Sequence, residues 1–307
     1  MRKIRGGRNN TIFSVILVVI GLVLAGVISY YGWDPVSEFF GLNKPMIAPA
    51  PVEGTMQVHF LDVGQGDCAL ILSEDKSVLI DSGDSKYAGE VVSYIRRMGV
   101  ERLDLVIVSH PHADHIGGMD KVIAAFKPVK LLLPQIPDEL VPTTATFERL
   151  LDAIEEHDVD VAYAKVGEVI ESGEATVQIL APYSEDKFGG VNDYSIAARV
   201  VHGGNSFLFT GDMEKAAEEQ LVVRGIDLYA DVLKVAHHGS RTSSTRSLLE
   251  NVGGDYAVIS VGSPNQYGHP HPETLKRLSE TGYEILRTDE SGTIVFISNS
   301  DGLEVKK

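Results

Sequence analysis

Residues 103–126, LDLVIVSHPHADHIGGMDKVIAAF, set the reading of the whole chain. The opening LDLVIVS is almost continuously apolar, the pattern of a strand covered on both faces. The turn that follows holds His110, His112, Asp114 and His115 within six residues, and Ile116-Gly117-Gly118 then opens a helix running to about Phe126. Alternate residues of an extended turn point the same way, so His110 and His112 can share one metal ion. Asp114 and His115 stand where the chain bends into the helix and can face a second. Imidazole and carboxylate without thiolate suit Zn²⁺, Mn²⁺ or Fe²⁺. A polar turn that merely caps a helix has no need of three histidines and an aspartate.

Outward from this stretch, short apolar runs alternate with helical patterns. Strands are expected at 56–63, 68–73, 77–81, 103–109, 130–134, 159–164, 176–182, 195–201, 206–212, 231–237, 255–261 and 292–298. Helices are expected at 87–98, 117–126, 144–157, 213–223 and 272–281. Hairpins through Ser73–Ser77 and Gly203-Gly204-Asn205 are mixed with crossovers. The pattern implies an α/β fold with two sheets and helices outside, not an all-parallel doubly wound sheet. Seven of the ten histidines fall in three clusters, at 110–115, 237–238 and 269–271, each at or near a strand end. Loops at strand ends are where a rigid sheet positions chemistry.

Toward the amino terminus the character changes. Residues 11–33, TIFSVILVVIGLVLAGVISYYGW, carry no charge, and about 20 such residues span a bilayer as a helix. Arg2, Lys3, Arg5 and Arg8 precede them, so the positive-inside rule places residues 1–10 in the cytoplasm and the body outside. The run is longer than a signal-peptide core, and no A-x-A-like site follows promptly, which favours a single-pass anchor over a cleaved signal that would release a secreted domain. Residues 34–55 form a linker, proline-rich from 41 onward, and the globular domain spans 56–307. The chain's formal charge is −16, and without its four basic leading residues the remainder carries 23 Lys+Arg against 43 Asp+Glu. So acidic a body has no broad electrostatic footprint for duplex nucleic acid. The lone Cys68 excludes a disulfide framework and a cysteine-rich metal knuckle.

The HxHxDH signature, with Asp81 in LIDSG, Asp212 in FLFTGD and His237-His238 in KVAHHGS, resembles the metallo-β-lactamase superfamily. VHFLDVGQGDCALI, SHPHADHIGG, NDYSIAARV, LKVAHHGSRTSS and VGSPNQYGHPHPE resemble, more narrowly, the hydrolase domain of ComEC-type competence proteins. The motifs cover essentially all of 56–307. The resemblance is to that domain as a free-standing unit and carries with it no DNA transport through a channel. It implies an αββα four-layer sandwich preceded by the transmembrane helix, and two divalent metal ions, zinc or manganese. His110 and His112 would hold one ion, Asp114 and His115 the other, and Asp212 both. One of His237 and His238 would complete the second site; alternation across a strand end lets only one point inward, and His238 is favoured, leaving His237 to orient ligands or contact substrate.

Many relatives add a third histidine to the first ion. Here only His157 and His202 lie in that interval, and both read as structural or solvated; Asn192 and Asp193 are the candidate replacements. A two-metal hydroxide mechanism for phosphoryl displacement follows, with Asp114 orienting the hydroxide. Asp81 supports the ligands from behind, and Asp67 closes the Gly64–Asp67 turn beside the metal loop. Ser240 offers a donor to phosphate, or belongs to a polar helix cap before Leu248. Lys234 and Arg241 are the nearest cations, and His269 protonates the leaving oxygen or contacts phosphate. The expected function is a membrane-anchored, extracytoplasmic phosphodiesterase or nuclease acting on single-stranded DNA. The alternatives are hydrolysis of another ester, such as a phosphocholine ester or a lactone, and a non-catalytic metal-binding module. No protein partner is inferable.

Overall fold

Met56–Phe60 (β1), Ala69–Ser73 (β2) and Lys76–Ile80 (β3) run as an antiparallel meander whose side chains alternate between two apolar environments. Met56, Val58, Phe60 and Ile71 enter a core shared with the second sheet, while Leu70, Leu72 and Leu79 face helices. This is the period-2 consequence of strand geometry. The computed structural model describes residues 52–307. The tail, transmembrane segment and linker expected over 1–55 lie outside the described residues except for 52–55; among the described residues no helix is long and apolar enough to cross a membrane.

After β3 come Ala88–Arg97 (α1), Leu105–Ile107 (β4), Ala113–Ile116 (α2), Met119–Phe126 (α3), Lys130–Leu133 (β5), Ala145–Glu156 (α4) and Val161–Tyr163 (β6). β3 to β6 are parallel, and α1, α3 and α4 pack on their outer face through Ile95, Ile123 and Leu150. The second sheet starts with Val169–Ser172 (β7), Ala175–Ala181 (β8), Ala197–His202 (β9) and Asn205–Phe209 (β10), all antiparallel. It continues in parallel through Val232–Lys234 (β11), Tyr256–Ile259 (β12) and Glu284–Arg287 (β13). Lys215–Val223 (α5), Arg246–Val252 (α6) and Pro272–Glu280 (α7) cover it through Leu221, Leu248 and Leu278. A short helix, Thr288–Ser291 (α8), leads to Ile294–Asn299 (β14) and Gly302–Lys306 (β15), which return to the first sheet.

The strand orders are β15-β14-β1-β2-β3-β4-β5-β6 and β13-β12-β11-β10-β9-β8-β7. Phe60, Phe207, Phe209 and Phe296 fill the space between the sheets, with Phe60 stacked on Phe209 at 5.7 Å. The result is helices, sheet, sheet, helices, as the motifs imply. Three strands and one longer helix go beyond the sequence expectation. β7, β13 and β15 lie at sheet edges and are partly exposed, so they lack an apolar run. α6 is too short for a clear period, but Thr245 caps it by accepting from Leu248 N, and it buries Leu248, Leu249 and Val252. β3, β4, β10, β11 and β12 all deliver their carboxyl ends to one rim, where such folds place ligands.

Candidate active site

The loop after β4 carries the richest cluster. His110 Nε2 lies 2.9 Å from His112 Nδ1 and 3.8 Å from Asp212 Oδ2, so these three ligand atoms surround one point. Asp114, His115 and His238 surround a second, with His238 Nε2 3.3 Å from Asp114 and 3.6 Å from Asp212. His115 Nε2 lies 3.3 Å from Asp212 Oδ1. Asp212 therefore stands between the two groups. Its delivery depends on Gly211, whose φ is +53° and whose Cβ, if it had one, would sit 2.8 Å from that of Ser195. The DVGQGD turn closes on the same place. A Cβ on Gly66 would meet the Asp114 carbonyl oxygen at 2.4 Å, and Asp67 N donates to that oxygen.

The histidines are held from behind. Asp81, itself at φ +59°, accepts from Ser109 N and Ser109 Oγ and sits 2.8 Å from His115 Nδ1, leaving Nε2 to face Asp212. His238 Nδ1 donates to the Ser260 carbonyl at 3.0 Å, leaving its Nε2 for the pocket. Such partners fix tautomer and ring direction in metal sites. His237 and His238 do not alternate along a strand as expected. Both have φ of +53°, in a tight turn after β11, so both rings reach Asp212, His237 Nε2 at 3.8 Å. Left-handed non-glycine residues are costly and cluster at functional sites. His238 is buried beside Asp114 and His115; His237 is partly exposed and lies 3.3 Å from Glu214.

The pocket is rich in carboxylates. Four carboxylates converge, those of Asp67, Asp81, Asp114 and Asp212, each in a group whose ligand atoms lie within 4.8 Å of one another. Burial alone would lower the His238 pKa, but Asp212 and Asp67 outweigh it and push it up to about 10. His115 is raised in the same way, against burial, by Asp212 and Asp81. Burial opposes ionisation of Asp114, yet the close approach of His238, its Nε2 3.3 Å away, and the His115 charge hold it well below the carboxylate range. His110, in contrast, is lowered by burial and by its neighbour His115. His115 Nε2, His238 Nε2 and Asp212 Oδ1 are all buried without a hydrogen-bond partner. Converging orphan lone pairs in an acidic pocket fit divalent cations, with His110, His112 and Asp212 for one and Asp114, His115, His238 and Asp212 for the other.

Several expected substrate groups have other duties. Lys234 is not a cation for phosphate: it is only 3% exposed, pairs with Asp67 and donates to the Val235 carbonyl, because β11 turns it into the interior. Ser240 is buried, bonds to Thr242 Oγ1 and anchors the loop instead of facing substrate. His269 lies 5.6 Å from His237 and 6.3 Å from His238, ring to ring. Burial, then the charges of His238 and His237, lower its pKa to about 4. It is a neutral imidazole at pH 7, suited to contacting phosphate and unsuited to giving up a proton from a cationic ring. Asp193 caps α5 by accepting from Glu214 N, whereas Asn192 Oδ1 is buried and unpartnered. His202, on the β9–β10 hairpin, lies at the opposite end of β10 from Asp212 and meets Ser298; His157 follows α4.

Sequence reasoning missed Glu218 and Arg277, which secure the loop beside the histidines. Glu218 accepts from Ser244 N and Thr245 N, and burial pushes its pKa up to about 7. Arg277 donates to the carbonyls of Ser243 and Ser244. Each stands in an ordinary helix, with no local motif to announce it.

The Lactamase_B family, the metallo-beta-lactamase superfamily, matches residues 61–263. The chain is similar to ComE operon protein 3 of Bacillus subtilis, at 30% identity over 258 residues, covering 78% of this chain and 33% of that protein. It is also similar to competence protein ComA of Neisseria gonorrhoeae, at 31% identity over 290 residues, covering 93% and 36%. The chain thus spans about a third of the length of these relatives. The metallo-beta-lactamase fold protein YhfI of Bacillus subtilis shares the fold at 16% identity and a TM-score of 0.52, covering 78% of this chain and 98% of that one.

Proposed function

This chain belongs to the metallo-beta-lactamase superfamily, and we propose that it is a divalent-metal phosphodiesterase that cleaves single-stranded DNA. The supporting observation is the pair of histidine–carboxylate pockets that share Asp212. His110 and His112 with Asp212, and Asp114, His115 and His238 with Asp212, would hold divalent ions, whose Lewis acidity would lower the pKa of a water and stabilise charge on an in-line phosphoryl displacement. Asp114, at the mouth of the deeper pocket and already ionised, orients the attacking water and accepts its hydrogen bond. Asp81 and the Ser260 carbonyl keep His115 and His238 from rotating. His269 donates to a phosphoryl oxygen from the open side. The resemblance to competence proteins over most of the chain favours DNA, and the acidity of the body favours a single strand over a groove-bound duplex. The basic residues ahead of 11–33 favour a membrane-anchored enzyme with its hydrolase domain outside.

The purified full chain with Mn²⁺ or Zn²⁺ is expected to cut a single-stranded oligonucleotide, and EDTA is expected to stop it. Asp114→Ala keeps the circular dichroism spectrum and loses turnover. Hydrolysis of p-nitrophenylphosphorylcholine with none of DNA overturns DNA as the substrate, and hydrolysis of nitrocefin with no phosphodiester cut overturns the reading whole. Protease shaving of intact cells tests the topology: a protected domain reverses it.

A further inference from the structure

Between β12 and α7 the chain makes a loop, residues 262–271, that one side chain holds rigid. Asn265 Nδ2 donates to the carbonyls of Gly262 and His269, at 2.8 and 2.6 Å, and Asn265 Oδ1 accepts from Tyr267 N and His269 N, at 3.1 and 3.0 Å. The loop presents Tyr267, which is 53% exposed and belongs to none of the three apolar cores. Its ring stacks on His269 at 5.6 Å and 27°. His269 in turn lies 6.3 Å from His238, whose Nε2 faces the shared carboxylate. An aromatic face is therefore fixed two ring spacings from the ligand cluster, with its outer side open.

A phosphodiester whose oxygen meets His269 lies one ring spacing from Tyr267, since the two rings stand 5.6 Å apart, and carries its base beside that ring. Stacking on an aromatic ring is sequence-tolerant, because every base has a π-face. It also supplies affinity without cations, which matters here: Lys234 is buried against Asp67, and the chain beyond its first ten residues carries 23 basic against 43 acidic groups. We propose that Tyr267, stacked on His269, is the platform that seats the nucleobase beside the cleaved phosphodiester. The proposal rests on the phosphodiesterase reading and names what that site recognises.

The test compares a single-stranded oligonucleotide with the same sugar–phosphate strand made abasic by tetrahydrofuran residues, using the full chain with Mn²⁺. The wild type is expected to cut the base-bearing strand with a kcat/KM about tenfold higher. Tyr267→Ala is expected to bring the base-bearing and abasic strands to equal kcat/KM, whereas Tyr267→Phe retains the preference. If Tyr267→Ala slows both strands equally, or the wild type cuts both equally well, the platform is overturned while the phosphodiesterase reading stands. If neither strand is cut, DNA as the substrate and the platform fall together, whether or not p-nitrophenylphosphorylcholine, itself a phosphodiester, is hydrolysed.

Discussion

The two candidate metal pockets share Asp212 but are built to different depths. In the inner one, His115 and His238 are buried and each has a partner behind it, Asp81 and the Ser260 carbonyl. In the outer one, His110 has only Ser109 Oγ behind its ring, and His112 is exposed to solvent. Burial lowers the pKa of His110, whereas carboxylates raise those of His115 and His238. The inner pocket is thus the more carboxylate-rich and the more firmly held, and the outer one has a neutral His110 and opens to solvent at His112. The difference predicts two ions of unequal affinity, the inner one tighter and the outer one exchangeable.

Asp212→Asn strikes both pockets, and the expected loss of turnover is about 10³-fold, with metal content falling below one ion per chain by emission spectrometry. A full complement of metal would show that the pockets are independent. Lys234→Met strikes only the foundation of the inner pocket. It leaves Asp67 buried with its ammonium partner removed, and the metal-free chain is expected to lose about 3–5 kcal/mol in urea unfolding. Asp81→Asn is expected to weaken the tighter of two calorimetric binding events about 10–100-fold and spare the weaker one. Equal weakening of both would erase the distinction between inner and outer.

The smallest effect is that of pH on the metal-free chain. The folded-state pKa of His238 is about 10 against an ordinary 6.5, so its stabilisation is complete below 6.5 and is lost as pH rises through about 10. The thermal midpoint should fall over that window. Inner-pocket metal binding should tighten over the same window and release protons, while the outer pocket, with His110 already neutral, should not. A flat profile for both would contradict the asymmetry.

What the sequence discloses about this site depends on how local each feature is. HPHADH is legible because six consecutive residues carry four candidate ligands, three histidines and an aspartate, and a turn after an apolar strand can place them only near one another. Asp212 and His238 are silent by themselves and enter only through the resemblance of whole motifs. Lys234 misleads because proximity along the chain to His238 says nothing of the direction in which β11 points it. The His237–His238 pair misleads for a related reason: alternation holds along a strand, and the chain there has left the strand for two left-handed residues. Glu218 and Arg277 act across 26 to 34 residues of sequence, on a loop that neither adjoins. In the fold, covered strands announce themselves, and the edge strands β7, β13 and β15 do not.

The first sheet is finished by the end of the chain. β1 lies between β2 and β14, with Met56 opposite Ser298 and Phe60 opposite Ile294. While the chain is being made, that edge of β1 stays open until residue 299 has emerged, after every other element of both sheets except β15. Phe296, which meets Phe60 and Phe207 in the central core, arrives equally late. The domain therefore reaches its final packing only once residues 294–299 are available to it. A chain stopped short of residue 294 would leave Phe60 and Phe207 without the ring that closes over them, so an apolar face of the central core would stay uncovered.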